Sequence, residues 1–392
     1  MQIGNKMVAG VASVTVALSG LAGAALTPAK QMPGTDTLRT AGNSALQMNQ
    51  IQQIGSHNSY HRELSPAEQA VQKQLNPGSP DLWYSHAPVS QQLEDQRVRT
   101  LEFDLFPDPA GGLYTYPLIR KLTGQGPLTD PALAQPGIKV MHVPDFDYNT
   151  NCRTFVICLQ QVKTWTDAHP NAAPISINLE LKQSDPQVVA AGGVKAPPWD
   201  LTNLNSVDTE IRSVFSPDDL ITPDTVRKPG LTLEQSVLTK GWPTLNRARG
   251  KVMFYFDNGG PGEIRDLYRE GKPNLEGRAV FTRGPEGEPD AAITEVNDPR
   301  GVNQAEIQRL VTKGYLVRTR SDEPMATIRD KDYSRLGIAL ASGAQYVTTD
   351  FPVAGMAARY DSDFVAQLPG HLAVRCNPVT ASAKVPAGIS EG

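Results

Sequence analysis

Two short segments with a strict side-chain alternation constrain this chain most. In PISINLELK, Ile175, Ile177, Leu179 and Leu181 alternate with Ser176, Asn178, Glu180 and Lys182. In RTLEFDLF, Leu101, Phe103 and Leu105 alternate with Thr100, Glu102 and Asp104. Successive side chains of a strand point to opposite faces, so each segment is a strand with one apolar and one polar, charged face. An antiparallel sheet with solvated acids satisfies that pattern, but the neighbouring sequence is not built of hairpins. Short apolar runs near 51–57, 98–105, 138–143, 175–181, 251–256, 279–282, 315–319 and 346–349 are separated by helical stretches near 88–97, 154–169, 206–215, 232–249, 303–313 and 333–342. Strands alternating with helices form parallel βαβ units. About eight such strands predict an α/β fold, a (β/α)₈ TIM-type barrel. A doubly wound open sheet is the alternative, but its usual G-x-G-x-x-G after the first strand is missing. In a barrel the apolar face lies under the helices and the polar face lines the interior. Charge there is costly unless paired or bound to a metal. The first run resists this treatment, because Ile51 and Ile54 cannot share a face of a regular strand.

The ends of the chain read differently. Lys6 precedes an uncharged run, residues 7–26, with small residues at Ala22, Ala24 and Ala25. That is the pattern of a secretory signal peptide, assigned to residues 1–29. A membrane-spanning helix is the competing reading, since about 20 apolar residues can span. Residues 30–47 read as a polar, flexible leader, 48–378 as one catalytic barrel and 379–392 as a flexible tail. The stretch from about 183 to 250 exceeds ordinary loop length and is expected to lie at the rim. A secreted protein without a permanent membrane anchor follows, and the mature chain is read as a monomer. Lys+Arg number 37 against 41 Asp+Glu, a net charge of −4. Nothing there supplies the basic stripe of a nucleic-acid binder or a polybasic membrane anchor. Export permits disulfides. Cys152 and Cys158 are the expected pair, and Cys376 is the odd cysteine. A cysteine metal site is disfavoured by the absence of Cys-x-x-Cys.

Four segments carry polar residues where predicted strands end: GSHNSYH with His57 and Asn58, LEFD with Glu102 and Asp104, VMHVPD with His142, and LELK with Glu180 and Lys182. They recur roughly 40 residues apart, the length of a βα unit with a generous loop, so consecutive barrel strands would bring them to one C-terminal rim. Three carboxylates and an amide form an oxygen-only site for a hard cation, calcium or magnesium rather than zinc. Two histidines suit proton transfer near neutral pH. A cation with two proton-transfer groups is what attack on a phosphodiester needs. His61 is read as a loop histidine, His86 as a surface residue, His169 as a helix C-terminal residue and His371 as part of the tail.

These motifs, with KGWPTLNRARGKVMFYFDN, VRTRSDEP and SGAQYVTTDFP further on, resemble the secreted bacterial calcium-dependent phosphoinositide-specific phospholipase C family over roughly residues 48–360. The resemblance implies a distorted barrel. It implies that His57 is the general base on the inositol 2-hydroxyl and that His142 stabilises the phosphate and assists proton transfer. It implies that Asn58, Glu102, Asp104 and Glu180 ligate Ca²⁺. The substrate implied is phosphatidylinositol in a membrane surface. Lys182, Arg318 and Arg320 are placed as phosphate contacts, Asp350 as the residue orienting His57, and Asp257 as a weaker supporting residue. Three other functions compete: a glycerophosphodiester phosphodiesterase or phospholipase D on the same barrel, a non-catalytic lipid- or inositol-binding barrel, and a glycosidase using Glu102 and Glu180. The asparagine after His57 and the E-x-D pair favour the phospholipase C.

Overall fold

The computed structural model describes residues 46–323, 325–381, 389 and 391. The expected signal peptide and nearly all of the leader lie outside them. Among the described residues there are eleven strands: β1 Ile51–Ser56, β2 Thr100–Phe106, β3 Lys139–Val140, β4 Ile175–Leu181, β5 Leu220–Ile221, β6 Val252–Phe256, β7 Val280–Phe281, β8 Ile293–Glu295, β9 Leu316–Arg320, β10 Tyr346–Thr349 and β11 Val374–Cys376. They join in the order β5-β6-β4-β2-β1-β10-β9-β8, with β7 beside β6. Nine of them, β1, β2, β4, β5, β6, β7, β8, β9 and β10, run parallel around a curled wall. No pairing joins β7 to β8 among the described residues, so the barrel is distorted by an open seam.

The segment expected as a strand over 138–143 is not a barrel stave. Only Lys139 and Val140 are extended, and they pair antiparallel with the end of β2. The chain thus folds back outside β2, and β2 pairs directly with β4 over six residues. The expected helix over 232–249 is two helices, Leu233–Thr239 and Leu245–Ala248. Between them stand Gly241, at φ 73°, and Pro243, which lacks a helix donor. The long stretch after β4 holds the helix Leu201–Val214 and the short strand β5.

The strand alternation is realised as the sequence implies. Leu101, Phe103, Ile177 and Leu179 share a buried cluster with Phe155, Leu159 and Val162 of the helix Phe155–Ala168. Each such side chain contributes about 1.5–3 kcal/mol by leaving water. Thr154 starts that helix by accepting the Ile157 amide, and the Cys152–Cys158 disulfide ties its entry to its first turn. Ile51 and Ile54 need no bulge, because both faces of β1 are apolar at different levels. Ile51 joins a floor cluster with Leu46, Ala173, Leu245 and Val374, where β11 crosses the start of β1. Ile54 packs outward on Leu336, Ala339 and Phe351. The floor also takes in residues from both ends of the described range. Gln47 bridges to Thr244, and the Glu391 carboxylate takes both Nε (2.8 Å) and Nη2 (2.5 Å) of Arg99. Most of the expected leader and tail lies outside the described residues. Among the described residues no helix is long and apolar enough to cross a membrane.

Candidate active site

The C-terminal ends of the staves converge on one mouth. At β1, Gly55 lets the wall close beneath that mouth. A Cβ there would lie 2.6 Å from Thr100 Cβ and 3.0 Å from Thr348 Cγ2. His57 follows, and Asn58 then turns the chain at φ 47°, a left-handed geometry asparagine tolerates. Asp350, at the end of the adjoining β10, holds His57 Nδ1 at 2.6 Å. Arg320 Nη1 donates to His57 Nε2 at 3.3 Å, and Nη2 donates to the second oxygen of Asp350 at 2.9 Å. A guanidinium has only donors, so Nε2 presents its lone pair and Nδ1 keeps its proton toward Asp350. Burial alone would raise the Asp350 carboxyl, but the charges of His57 and Arg320 outweigh it and hold it far below the usual range.

The acids stand beside that imidazole. Glu102 Oε1 is 3.6 Å from His57 Nε2. Oxygens of Glu102, Glu180 and Asp257 lie within 4.8 Å of one another. Asp257, placed only as a weaker candidate by its sequence, is thus inside the acidic cluster, and Asn178 Nδ2 approaches it at 3.3 Å. Asp104 is fully buried, and its carboxylate is answered by the Lys182 ammonium at 3.2 Å. Burial first, then the Glu180 charge, pushes its carboxyl well above the usual range. Glu102, Glu180, Asp257 and the neighbouring Asp104 form an oxygen-only set that fits a hard cation. The Tyr60 hydroxyl lies between Asp104 and Asn58 Oδ1, 3.3 Å from the latter, so Asn58 belongs to the same neighbourhood.

Two expected phosphate contacts are engaged elsewhere. Lys182 bridges Asp104 at 3.2 Å and Glu180 at 3.1 Å, so its ammonium serves the acidic cluster. Arg318 is buried inside the barrel. It bonds Glu102 Oε2 at 2.7 Å, Asn297 Oδ1 at 2.7 Å and Thr348 Oγ1 at 3.0 Å, which corrects its reading as a free fork for substrate. Glu295, on β8, was not anticipated. It is buried 3.5 Å from Arg318, and burial raises its carboxyl to about 8 against the lowering effect of that arginine.

His142 reaches the mouth on the loop after β3, fixed where the Met141 amide bonds Asp104 O at 3.3 Å. Its Nδ1 lies 2.8 Å from Asp147 Oδ2, and that same oxygen is 2.9 Å from His61 Nε2. Burial opposes ionisation of Asp147, but the His61 charge and the bonds from both imidazoles bring its carboxyl down to about 2. His61 lies in the connection after β1 as expected, but it is fully buried there as a partner of Asp147. His86 is buried too, not on the surface, and its Nε2 donates to the His57 carbonyl at 2.9 Å. Its burial lowers its imidazole to about 4. The sequence signal missed for Asp147 was a carboxylate five residues after His142, close enough for a tight turn to return it. His169 caps its helix as expected, with Nδ1 at 2.8 Å from Trp165 O.

A model of the Ca²⁺-dependent phosphoinositide phospholipase C family matches residues 46–378. The chain belongs to that family. Its fold is similar to the calcium-dependent phosphoinositol-specific phospholipase C of a Gram-negative Pseudomonas species, with a TM-score of 0.51 and 18% identity over 86% of this chain and 96% of that one. The myoinositol complex of the Pseudomonas enzyme matches with a TM-score of 0.50 and 17% identity over 86% and 97% of the two chains. No curated protein matches significantly. Calcium is the cofactor of this phospholipase C family, and the Glu102, Glu180 and Asp257 cluster is able to hold it. A cavity of about 520 Å³ at the barrel floor, lined by Arg99, Trp165 and His169 among others, lies away from this chemistry, which barrels carry at the other end.

Proposed function

We propose that this phospholipase C is secreted and cleaves phosphatidylinositol in membrane surfaces to diacylglycerol and an inositol phosphate. The observation that carries the reading is His57. Its Nε2 lone pair faces the mouth 3.6 Å from Glu102, one member of the cluster suited to the cation, and Asp350 holds its other nitrogen. His57 removes the proton of the inositol 2-hydroxyl at Nε2, and Asp350 stabilises the imidazolium that results. Arg320 Nη1 and Nη2 are engaged by His57 and Asp350, which leaves its buried Nε to meet a phosphoryl oxygen. His142, held as Nδ1–H by Asp147, takes a proton from water on Nε2, and the resulting imidazolium gives it to the leaving glycerol oxygen. Arg318 keeps Glu102 in register, and Lys182 does so for Asp104 and Glu180. Glu102, Glu180, Asp257, Asp104 and Asn58 are the residues that would hold calcium. When bound, it offsets charge on the phosphoryl oxygens and lowers the pKa of the attacking hydroxyl.

Two further observations support the setting. Exposed Leu113, Tyr116 and Leu122 after β2, and Val302 after β8 at 86% exposure, sit in rim connections around the same mouth. Apolar side chains there suit approach to a lipid surface. The Cys152–Cys158 disulfide suits an oxidising compartment, in accord with the uncharged 7–26 run.

The test is product identification on phosphatidylinositol vesicles. Diacylglycerol is expected with calcium, and none with excess chelator or with His57→Ala. Full turnover in chelator refutes the metal role. Phosphatidic acid or free glycerophosphate as product would move the chain to the phospholipase D or phosphodiesterase reading.

A further inference from the structure

Both histidines of the mouth have an aspartate on Nδ1, and in each case that aspartate has a second donor. At His57 the set is Asp350 with Arg320. At His142 it is Asp147 with His61, where one oxygen, Oδ2, receives both imidazoles at 2.8 and 2.9 Å. The second set is more enclosed. His61 and Asp147 are 0% and 1% exposed, while His142 is 23% exposed toward the mouth. The other nitrogen of His61 faces the Tyr84 carbonyl at 3.1 Å. Both nitrogens of His61 thus meet acceptors, so His61 serves as a donor on both sides and pins Asp147 between two rings. A carboxylate oxygen against His142 Nδ1 fixes the proton there, turns Nε2 to the mouth and sets the ring plane. The edge-to-face placement of the two rings, with centroids 6.2 Å apart, leaves His142 little room to swing.

We propose that Asp147 is the positioning residue for His142 and that His61 holds Asp147 for that task. No atom of Asp147 or His61 touches substrate in this arrangement. Both act through the tautomer and orientation of His142. The activity arm of the test rests on the phospholipase C reading, and the spectroscopic arm does not.

The experiment uses the full chain with ¹⁵N-labelled imidazoles, His142 being assigned by His142→Gln. The wild-type His142 is expected as the Nδ1–H tautomer. Asp147→Ala removes the acceptor, so the ring is expected to change to Nε2–H. In the vesicle assay kcat should fall by on the order of 10²-fold, the usual worth of a positioned acid–base group, with KM within about threefold. Asp147→Asn can keep an oxygen at the Oδ2 position, because Oδ1 has no partner that the amide nitrogen would lose. It should restore the Nδ1–H tautomer and most of kcat. A wild-type ring protonated on Nε2, or Asp147→Ala with wild-type kcat, overturns the proposal. If Asp147→Ala does not fold, the wild-type and Asp147→Asn spectra decide it alone. If the wild-type chain does not cleave phosphatidylinositol, the functional reading fails while the spectra still test the positioning.

Discussion

Replacing Arg318 with methionine probes the logic of the acidic cluster directly. The guanidinium is 2% exposed and lies 2.7 Å from Glu102 and 3.5 Å from Glu295. Methionine matches its bulk but leaves Glu102 buried without its permanent counter-charge. Breaking a buried pair from one side costs about 3–5 kcal/mol. Glu295, raised to about 8, is already mostly protonated near pH 7, so removing Arg318 strands only Glu102 and the lower end, about 3 kcal/mol, is expected without calcium. Calcium should then matter more to the variant than to the wild type. Any single-site ligand at 100 times its Kd adds about 2.7 kcal/mol, and each tenfold gain in affinity adds about 1.4 kcal/mol more at fixed concentration. With Arg318 gone, Glu102 no longer shares its charge, so the calcium increment should exceed that of the wild type. Urea denaturation followed by tryptophan fluorescence, in chelator and in calcium, measures both terms. A loss below about 1 kcal/mol in chelator, or equal calcium increments in the two proteins, would refute the view that Arg318 compensates the cation-binding acids.

Other consequences are simpler to state. Gly55→Ala should destabilise the chain by about 1–3 kcal/mol through overpacking of β1 against β2 below His57, seen as a lower urea midpoint; an unchanged midpoint would mean the wall yields freely. His86 is held neutral, with its imidazole lowered to about 4 from 6.5. Its contribution is present above pH 6.5 and lost as pH falls toward 4, about 3 kcal/mol in all. His86→Gln should flatten the stability profile in that window, and a slope identical to wild type would exclude His86 as its source. Cys152→Ala with Cys158→Ala removes a short-loop cross-link and should cost about 2 kcal/mol, whereas unaltered thermal unfolding would show the loop is already held by its packing.

Much of the site was legible in the sequence because strand alternation is a local property. Glu102, Asp104 and Glu180 had to share the inward face once β2 and β4 were strands, and Asp350 had to meet His57 once the barrel closed β10 onto β1. Residues such as Asp257 and Glu295 were harder to read, since each sits at the end of a short stave with no distinctive neighbour. His61 and His86 were misjudged for a related reason. Both lie in the long connection after β1, and nothing in that stretch says the connection folds back over the mouth to bury them.

By itself the sequence determined the βα alternation, the inward acids, the two histidines and the family they resemble, because side-chain period and motif spacing depend only on near neighbours in the chain. The tertiary structure alone decided which cation answers which acid. Arg318 is a free fork in the sequence and a committed ion pair in the fold, since it meets Glu102 only across the barrel interior, while Lys182 reaches Asp104 because β4 lies beside β2. It also decided that β3 is a folded-back ribbon, that β7 and β8 leave a seam, and that His142 is held by Asp147 and His61. Those outcomes depend on where distant segments have to satisfy buried charge and backbone donors together, a condition that exists only once the barrel has closed around them.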